Sequence, residues 1–319
     1  MAENLNSDIV QKILFEPVYQ GADRICILSD HATPSMASWL LKTYEERKIE
    51  GISVELIITS TPEESITRMN HEGFIALHKA YRSGKPNTFS CSYLHQPCGV
   101  MDNTYIWLSG ETIVKAFVCS CDFTQTSFLR GASGIVTECE PKDTLKKLET
   151  ALENSTYCDF SEIEDYILIG AYNLPKTFDL MPNDPNYVSL PLIVKKTGEP
   201  GTKSGLNWGQ RNKRNPNEAY IPLPKKIAKS GFFPLNKQHF LVVTDDHHTL
   251  LLRVEQQNDK AITTPASNAL LGEYFRNRLG LANGAYVHTS DLDHYGRRDV
   301  SFYKIDEDQY YMDFSVEER

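Results

Sequence analysis

The segment KSGLNWGQRNKRNPNEAY (203–220) concentrates side chains that suit recognition of a nucleic-acid groove. Arginine can pair bidentately with guanine, and asparagine or glutamine with adenine, through the edges those bases present in the major groove. Lysine suits the phosphates, where it sets register and makes affinity depend on salt. Lys203, Asn207, Trp208, Gln210, Arg211, Lys213, Arg214 and Asn215 supply all of these types between two strand-like runs. A mobile surface loop would share that polarity, but a freely exposed tryptophan would be costly there. The expectation is a DNA-reading arm. A second arm is expected in VEQQNDKAITT (254–264), where Gln256, Gln257, Asn258 and Lys260 crowd a turn, although QND alone reads as an ordinary turn. Two such loops on one body could grip a groove from both sides. Arg276 and Arg278 in the following helix, and Arg297 and Arg298 in HYGRRD, are further phosphate candidates, each weighed against an ordinary salt bridge.

The net charge of the 319-residue chain is −9, which argues against a protein coated in nucleic acid. Residues 195–230 depart from that average: Lys195, Lys196, Lys203, Arg211, Lys213, Arg214, Lys225, Lys226 and Lys229 stand against Glu199 and Glu218. One basic surface is enough to carry the field. An apolar content of 40%, with 10% aromatic residues, supports a packed core and excludes global disorder. No apolar run approaches the roughly 18 residues of a membrane span. MAENLNSDIV lacks the basic-then-apolar order of a secretory signal, so a cytoplasmic location is expected. The seven scattered cysteines read as reduced thiols. Cys119 and Cys121 have no zinc-type partner pair nearby, so neither a metal nor another cofactor is expected.

The elements that would carry these residues divide the chain. RICILS (24–29), ISVELIIT (52–59), TYIWLSG (104–110), TIVKAFVCS (112–120) and ASGIVTE (132–138) read as strands. Helices are expected over 32–48, with Thr33 or Ser35 as cap, over 61–81, with Thr61 as cap and Pro62 in the first turn, and over 140–153. This alternation predicts an α/β fold with a substantially parallel sheet over 1–160. Residues 161–186 read as a linker holding one strand, DYILIGAY. From Tyr187 to Arg319, VSLPLIVKK, EAYIPLP, HFLVVTDD, TLLLRVEQ, AYVHTS, VSFYKI and YYMDFS read as short strands around one helix, NALLGEYFRNRLG (268–280), which predicts an all-β pseudobarrel.

At SGLNWGQR…NEAYIPLP the resemblance becomes specific. With FLVVTDD, NALLGEYFRNRLGL, DLDHYGRRDVSFYKI and YYMDFS it makes residues 188–315 resemble the C-terminal domain of the NgoFVII-type restriction endonuclease family. The resemblance implies a DNA-binding pseudobarrel like that of plant B-three transcription factors, gripping double-stranded DNA with two arms near 203–215 and 255–264. It also implies an N-terminal domain of the phospholipase D superfamily. There a histidine in a His-x-Lys element attacks phosphorus, and lysine and asparagine stabilise the equatorial oxygens without a metal.

The matching runs here are VMDNTYIW (100–107) and AFVCSCDFT (116–124). Met101 stands in the place of the histidine, Asn103 in that of the lysine, and Cys119 and Asp122 in those of a glycine and the asparagine; Ser120 remains. Methionine cannot attack phosphorus and asparagine carries no positive charge for the transition state. His95, Cys119 and Cys121 are the alternative nucleophiles, set against the inertness usual for buried strand cysteines. Two readings stay open. One is a sequence-specific DNA-binding protein of a restriction-modification type system, whose degenerate nuclease domain is a homodimerisation scaffold. The other is an active type II restriction endonuclease subunit, working with an intact nuclease partner or from a relocated site. The chain has no Gly-Lys-Ser/Thr phosphate loop, so a helicase-type ATPase would be a separate subunit.

Overall fold

Strand-sized apolar runs alternate with amphipathic helical ones through the first half of the chain, and tertiary pairing decides their directions. The computed structural model describes residues 8–59, 66–82, 84–96, 103–130, 134–172 and 184–316. The chain divides into two compact units, Met1–Tyr172 and Asn173–Arg319. The first contains α1 (Asp8–Leu14), α2 (Glu16–Tyr19), β1 (Arg24–Ser29), α3 (Pro34–Glu46), β2 (Ser53–Ile58), α4 (Arg68–Tyr81), β3 (Thr88–Leu94), β4 (Asn103–Ser109), β5 (Thr112–Cys119), α5 (Gln125–Leu129), β6 (Val136–Glu138), α6 (Pro141–Glu153) and β7 (Ser155–Tyr157).

The strands form one sheet in the order β6-β5-β4-β1-β2-β3-β7. Only β1, β2 and β3 run parallel, and the other four pairings are antiparallel, so the sheet is mixed rather than substantially parallel. The reason is local at one point. Ser109 pairs with Thr112 across Gly110 and Glu111, with Gly110 at φ 59°, and a two-residue loop can join only antiparallel neighbours. Thr33 caps α3, its side chain accepting from the Met36 amide, and Pro34 opens the helix. α4 starts at Arg68, capped by Thr67, later than the expected start. The expected cap Thr61 and Pro62 lie outside the described residues.

DYILIGAY is not a strand. Ile163–Asp165 is a 3-10 turn, and only a single bridge joins Ile169 to Ile66. Tyr166 and Leu168 stay exposed, so this stretch lacks the two-sided cover of a buried strand.

The second unit contains β8 (Tyr187–Pro191), a 3-10 segment (Gly205–Gln210), β9 (Ile221–Pro222), α7 (Lys225–Ala228), β10 (His239–Thr244), β11 (Thr249–Glu255), β12 (Ala261–Thr263), α8 (Asn268–Arg278), α9 (Thr289–Tyr295), β13 (Asp299–Lys304) and β14 (Gln309–Asp313). The sheet order is β8-β13-β14-β10-β11-β12-β9, and the outer strands β8 and β9 also touch, so the sheet curls almost into a barrel. Phe233 fills its centre, with ring centroids 5.2–5.3 Å from Phe240, Phe302 and Tyr310. AYVHTS, expected as a strand, instead leads into α9: the Asp291 carboxylate accepts from the His288 amide at 2.7 Å, an N-terminal cap that favours helix.

Candidate nucleic-acid interface and the motif site

The first arm joins β8 to β9, and the second, Gln256–Lys260, joins β11 to β12. Ile221 of β9 pairs with Ile262 of β12, Pro222 with Ala261, and the Leu223 amide donates to the Lys260 carbonyl at 2.9 Å. The chain thus leaves both arms into the same strand pair, so both arms serve one edge of the curled sheet.

The base of the first arm is locked by buried polar groups. Asn207 is fully buried, and its amide exchanges two hydrogen bonds with the Val287 backbone, at 2.9 and 2.8 Å. The Gln210 amide donates to the carbonyls of Pro216 and Gly284. Arg276 has no exposed surface, and its guanidinium donates to five backbone carbonyls: Leu206, Pro216, Asn217, Gly272 and Ala285. Asn207 and Arg276 are thereby buried away from solvent, and the Gln210 amide nitrogen is engaged with backbone. Their donors are spent on backbone carbonyls, most of them buried away from water. Arg276 ties both ends of the arm to α8. Backbones approach so closely here that a Cβ on Gly272 would lie 1.7 Å from the Asn217 carbonyl oxygen, and one on Gly209 would lie 2.2 Å from that of Asn215.

Beyond this base, residues 211–216 are exposed. The Arg214 guanidinium stacks over the half-buried Trp208 ring, 4.0 Å from its centroid, and forms an ion pair with Glu218. Trp208 also meets Tyr220 edge-on at 5.5 Å. Arg211 donates from Nε to the Lys203 carbonyl at 2.8 Å. Asn215 accepts from the Asn217 amide at 2.9 Å, which holds the exit turn. Lys203 and Lys213 are exposed and, among the described residues, form no ion pair. In the second arm Gln257, Asn258 and Lys260 are exposed and Gln256 is half-buried. Gln256, Asn258 and Asp259 all take positive φ, a tight turn that pushes its side chains outward. Arg253, Glu255 and Thr263 brace its stem.

The remaining candidate arginines are ion-paired. Arg278 donates to both oxygens of Asp245, at 2.9 and 2.7 Å, and to the hydroxyls of Tyr274 and Tyr295. Arg297 pairs with Asp299 and Asp313, and Arg298 with Asp293. Arg278 and Arg297 are held in part-buried pairs and Arg298 in an exposed one.

In the first unit the motif positions meet where β1 and β5 end and β4 begins. Asn103 Oδ1 accepts from the Ser29 hydroxyl at 2.8 Å and the Asp30 amide at 3.1 Å, while its Nδ2 donates to Asp122 at 3.2 Å. The Phe123 amide donates to the Ser29 hydroxyl at 3.0 Å. The Ser120 hydroxyl accepts from the Ile135 amide. Cys119 is buried, and burial pushes its thiol up, which opposes formation of a thiolate. Met101 lies outside the described residues. His95 follows β3, three strands from β4, roughly 14 Å away at ordinary strand spacing. Sequence reasoning missed His31. It follows β1, its carbonyl accepts from the same Ser29 hydroxyl, and its exposed ring lies 4.0 Å from Asp30. The signal for it was its place just past an apolar strand, at the sheet end where α/β proteins build sites. Among the described residues no cluster of His, Cys, Asp and Glu could hold a metal ion, and no helix is long and apolar enough to cross a membrane.

The comparisons agree with this two-part construction. The family model described as the NgoFVII restriction endonuclease N-terminal PLD domain matches residues 7–165, and that described as the NgoFVII C-terminal B3-like DNA-binding domain matches residues 181–306. No curated protein matches the chain. With both models matched in order along nearly the whole chain, and a barrel-like sheet carrying two polar arms in the second, the chain belongs to the NgoFVII restriction endonuclease family.

Proposed function

We propose that the chain is a sequence-specific double-stranded DNA-binding protein of a restriction-modification type system, and that its N-terminal unit is a dimerisation scaffold that no longer cleaves DNA. One observation carries the loss of cleavage: the hydrogen bond between Asn103 and Asp122. A neutral amide and a carboxylate stand where the family pattern has lysine and asparagine. A phosphodiester entering there meets a carboxylate where the family pattern has a neutral amide and an amide where it has a cation, the reverse of what stabilises a phosphoryl transition state. Recognition falls to the arm residues that point outward: Arg211, Lys213 and the stacked Arg214 in the first arm, Gln257, Asn258 and Lys260 in the second. A dimer built on the N-terminal unit doubles the arms and suits a two-part DNA site.

The purified chain is incubated with a randomised duplex library, with and without divalent ions. The expected result is enrichment of one motif without strand cleavage. Replacing Met101→His, Asn103→Lys, Cys119→Gly and Asp122→Asn together tests whether the motif alone was lost. Robust site-specific cleavage by the wild-type chain, unchanged in Met101→Ala, overturns the reading in favour of an active endonuclease subunit. His31→Ala is then the first variant to assay. Cleavage only after adding an intact nuclease or a helicase-type ATPase subunit assigns the chain the role of specificity subunit. Sedimentation of residues 1–172 tests the scaffold, with a dimer expected and a monomer contradicting it.

A further inference from the structure

The short edge strand β7 brings two of the described cysteines together, away from the motif site. Ser92 pairs with Tyr157 in the β3–β7 register, so the next residues along, Cys91 and Cys158, stand opposite each other. The Cys158 amide donates to the Cys91 carbonyl at 2.9 Å. Residues opposed in an antiparallel ladder lie about 4.5–5.5 Å apart at Cα and point to the same face, inside the span of about 4.4–6.8 Å that a disulfide bridges. Both thiols are free and fully buried.

His78 on α4 completes the group. Its Nδ1 lies 3.8 Å from Cys158 Sγ and accepts from the Cys91 amide at 3.4 Å. A ring nitrogen that accepts is the unprotonated one, so it can take a thiol proton. The neighbouring Cys91 thiol draws the Cys158 thiol below its ordinary value against the opposing effect of burial, and His78 acts in the same sense. Burial pushes the Cys91 thiol up, which separates the two roles. A pocket of about 450 Å³ has Cys158 among its lining residues, beside His71, Lys79 and Asp159.

We propose that Cys158 is a peroxide-oxidisable thiol resolved by Cys91, so that the pair is a reversible disulfide site joining β3 to β7. Cys158 passes its proton to His78 and its sulfur attacks one oxygen of a hydroperoxide. The O–O bond breaks, and the other oxygen leaves with that proton as water or alcohol. Cys158 is now a sulfenic acid. The Cys91 sulfur attacks it, the S–O bond breaks, and the hydroxyl leaves with the Cys91 proton as water. Two thiols have lost two hydrogens and two electrons, and the peroxide has gained them. A thiol reductant reverses the change.

The test treats the full chain with hydrogen peroxide, alkylates the remaining thiols after denaturation and maps the peptides by mass. A Cys91–Cys158 linked peptide is expected, lost on adding dithiothreitol. In Cys91→Ser, dimedone should mark Cys158 as a trapped sulfenic acid. In His78→Gln the linkage should form about tenfold more slowly, through the lost thiolate fraction. Half-buried Cys139 serves as the internal control for general oxidation. Oxidation of Cys139 while Cys91 and Cys158 remain alkylatable in the wild-type chain overturns the proposal. So does a linkage whose rate His78→Gln leaves unchanged.

Discussion

In the first DNA arm and in the motif site of the other unit, polar side chains gather where strands end, but they are spent differently. In the arm, Asn207, Gln210 and Arg276 turn inward and saturate backbone carbonyls, which leaves Arg211, Lys213 and the stacked Arg214 displayed on a fixed frame. At the motif site, Asn103 and Asp122 turn toward each other and Ser29 completes the circuit. A polar group bonded to its neighbour is satisfied and has little left for a ligand; one held out by a buried scaffold is poised for binding. Residue type is similar in the two places. What differs is whether a supporting layer exists behind the polar side chains.

The comparison breaks most visibly at Arg276. Arg276→Ala removes the one guanidinium that five carbonyls share, of which Pro216 keeps Gln210, so an unfolding-stability loss of about 3–5 kcal/mol is expected, with DNA binding lost for all sequences together. Denaturant titration beside a binding isotherm checks it; a stable variant with normal affinity would remove the scaffold from the argument. Asn207→Ala should cost about 1–3 kcal/mol of stability through the two orphaned Val287 groups, and the preferred DNA motif should stay the same. A changed motif would return Asn207 to the base readers.

Arg211→Ala should weaken binding to the preferred site by about 1–3 kcal/mol and relax one position of the motif, as measured by competition with single-base variants. Lys213→Ala should act more weakly and on all sequences alike, lowering the slope of log affinity against log salt by about one phosphate contact. If the two variants behave identically, the division between reading and gripping is wrong. The smallest effect is expected at Arg298, whose exposed pair with Asp293 is screened by solvent. Arg298→Ala should leave both the melting temperature and the isotherm unchanged.

Much of the fold was legible because its signals are local. RICILS became β1 with both ends as read, and Thr33 caps α3 because its hydroxyl accepts from the Met36 amide within the same turn. AYVHTS failed because the His288–Asp291 cap outweighed its β-like composition. The parallel sheet failed because the Gly110–Glu111 loop, visible in the sequence, demands a hairpin that was not weighed. The surroundings of Arg276 and Arg278 were not legible for a deeper reason. An exposed arginine and a buried one look alike in sequence, and only the carbonyls and carboxylates converging on them reveal which they are.

The sequence by itself determined the two-part organisation, most of the strands of the second unit and the two polar loops, and it holds no His-x-Lys run, because these rest on residue type, spacing and short-range capping. The tertiary structure alone decided which polar residues of those loops are presented and which are consumed. Asn207 meets Val287 across 80 positions, and Arg276 meets Leu206 across 70. A hydrogen bond of that range depends on the packed core bringing distant backbone within about 3 Å, and no local pattern in the chain encodes that distance.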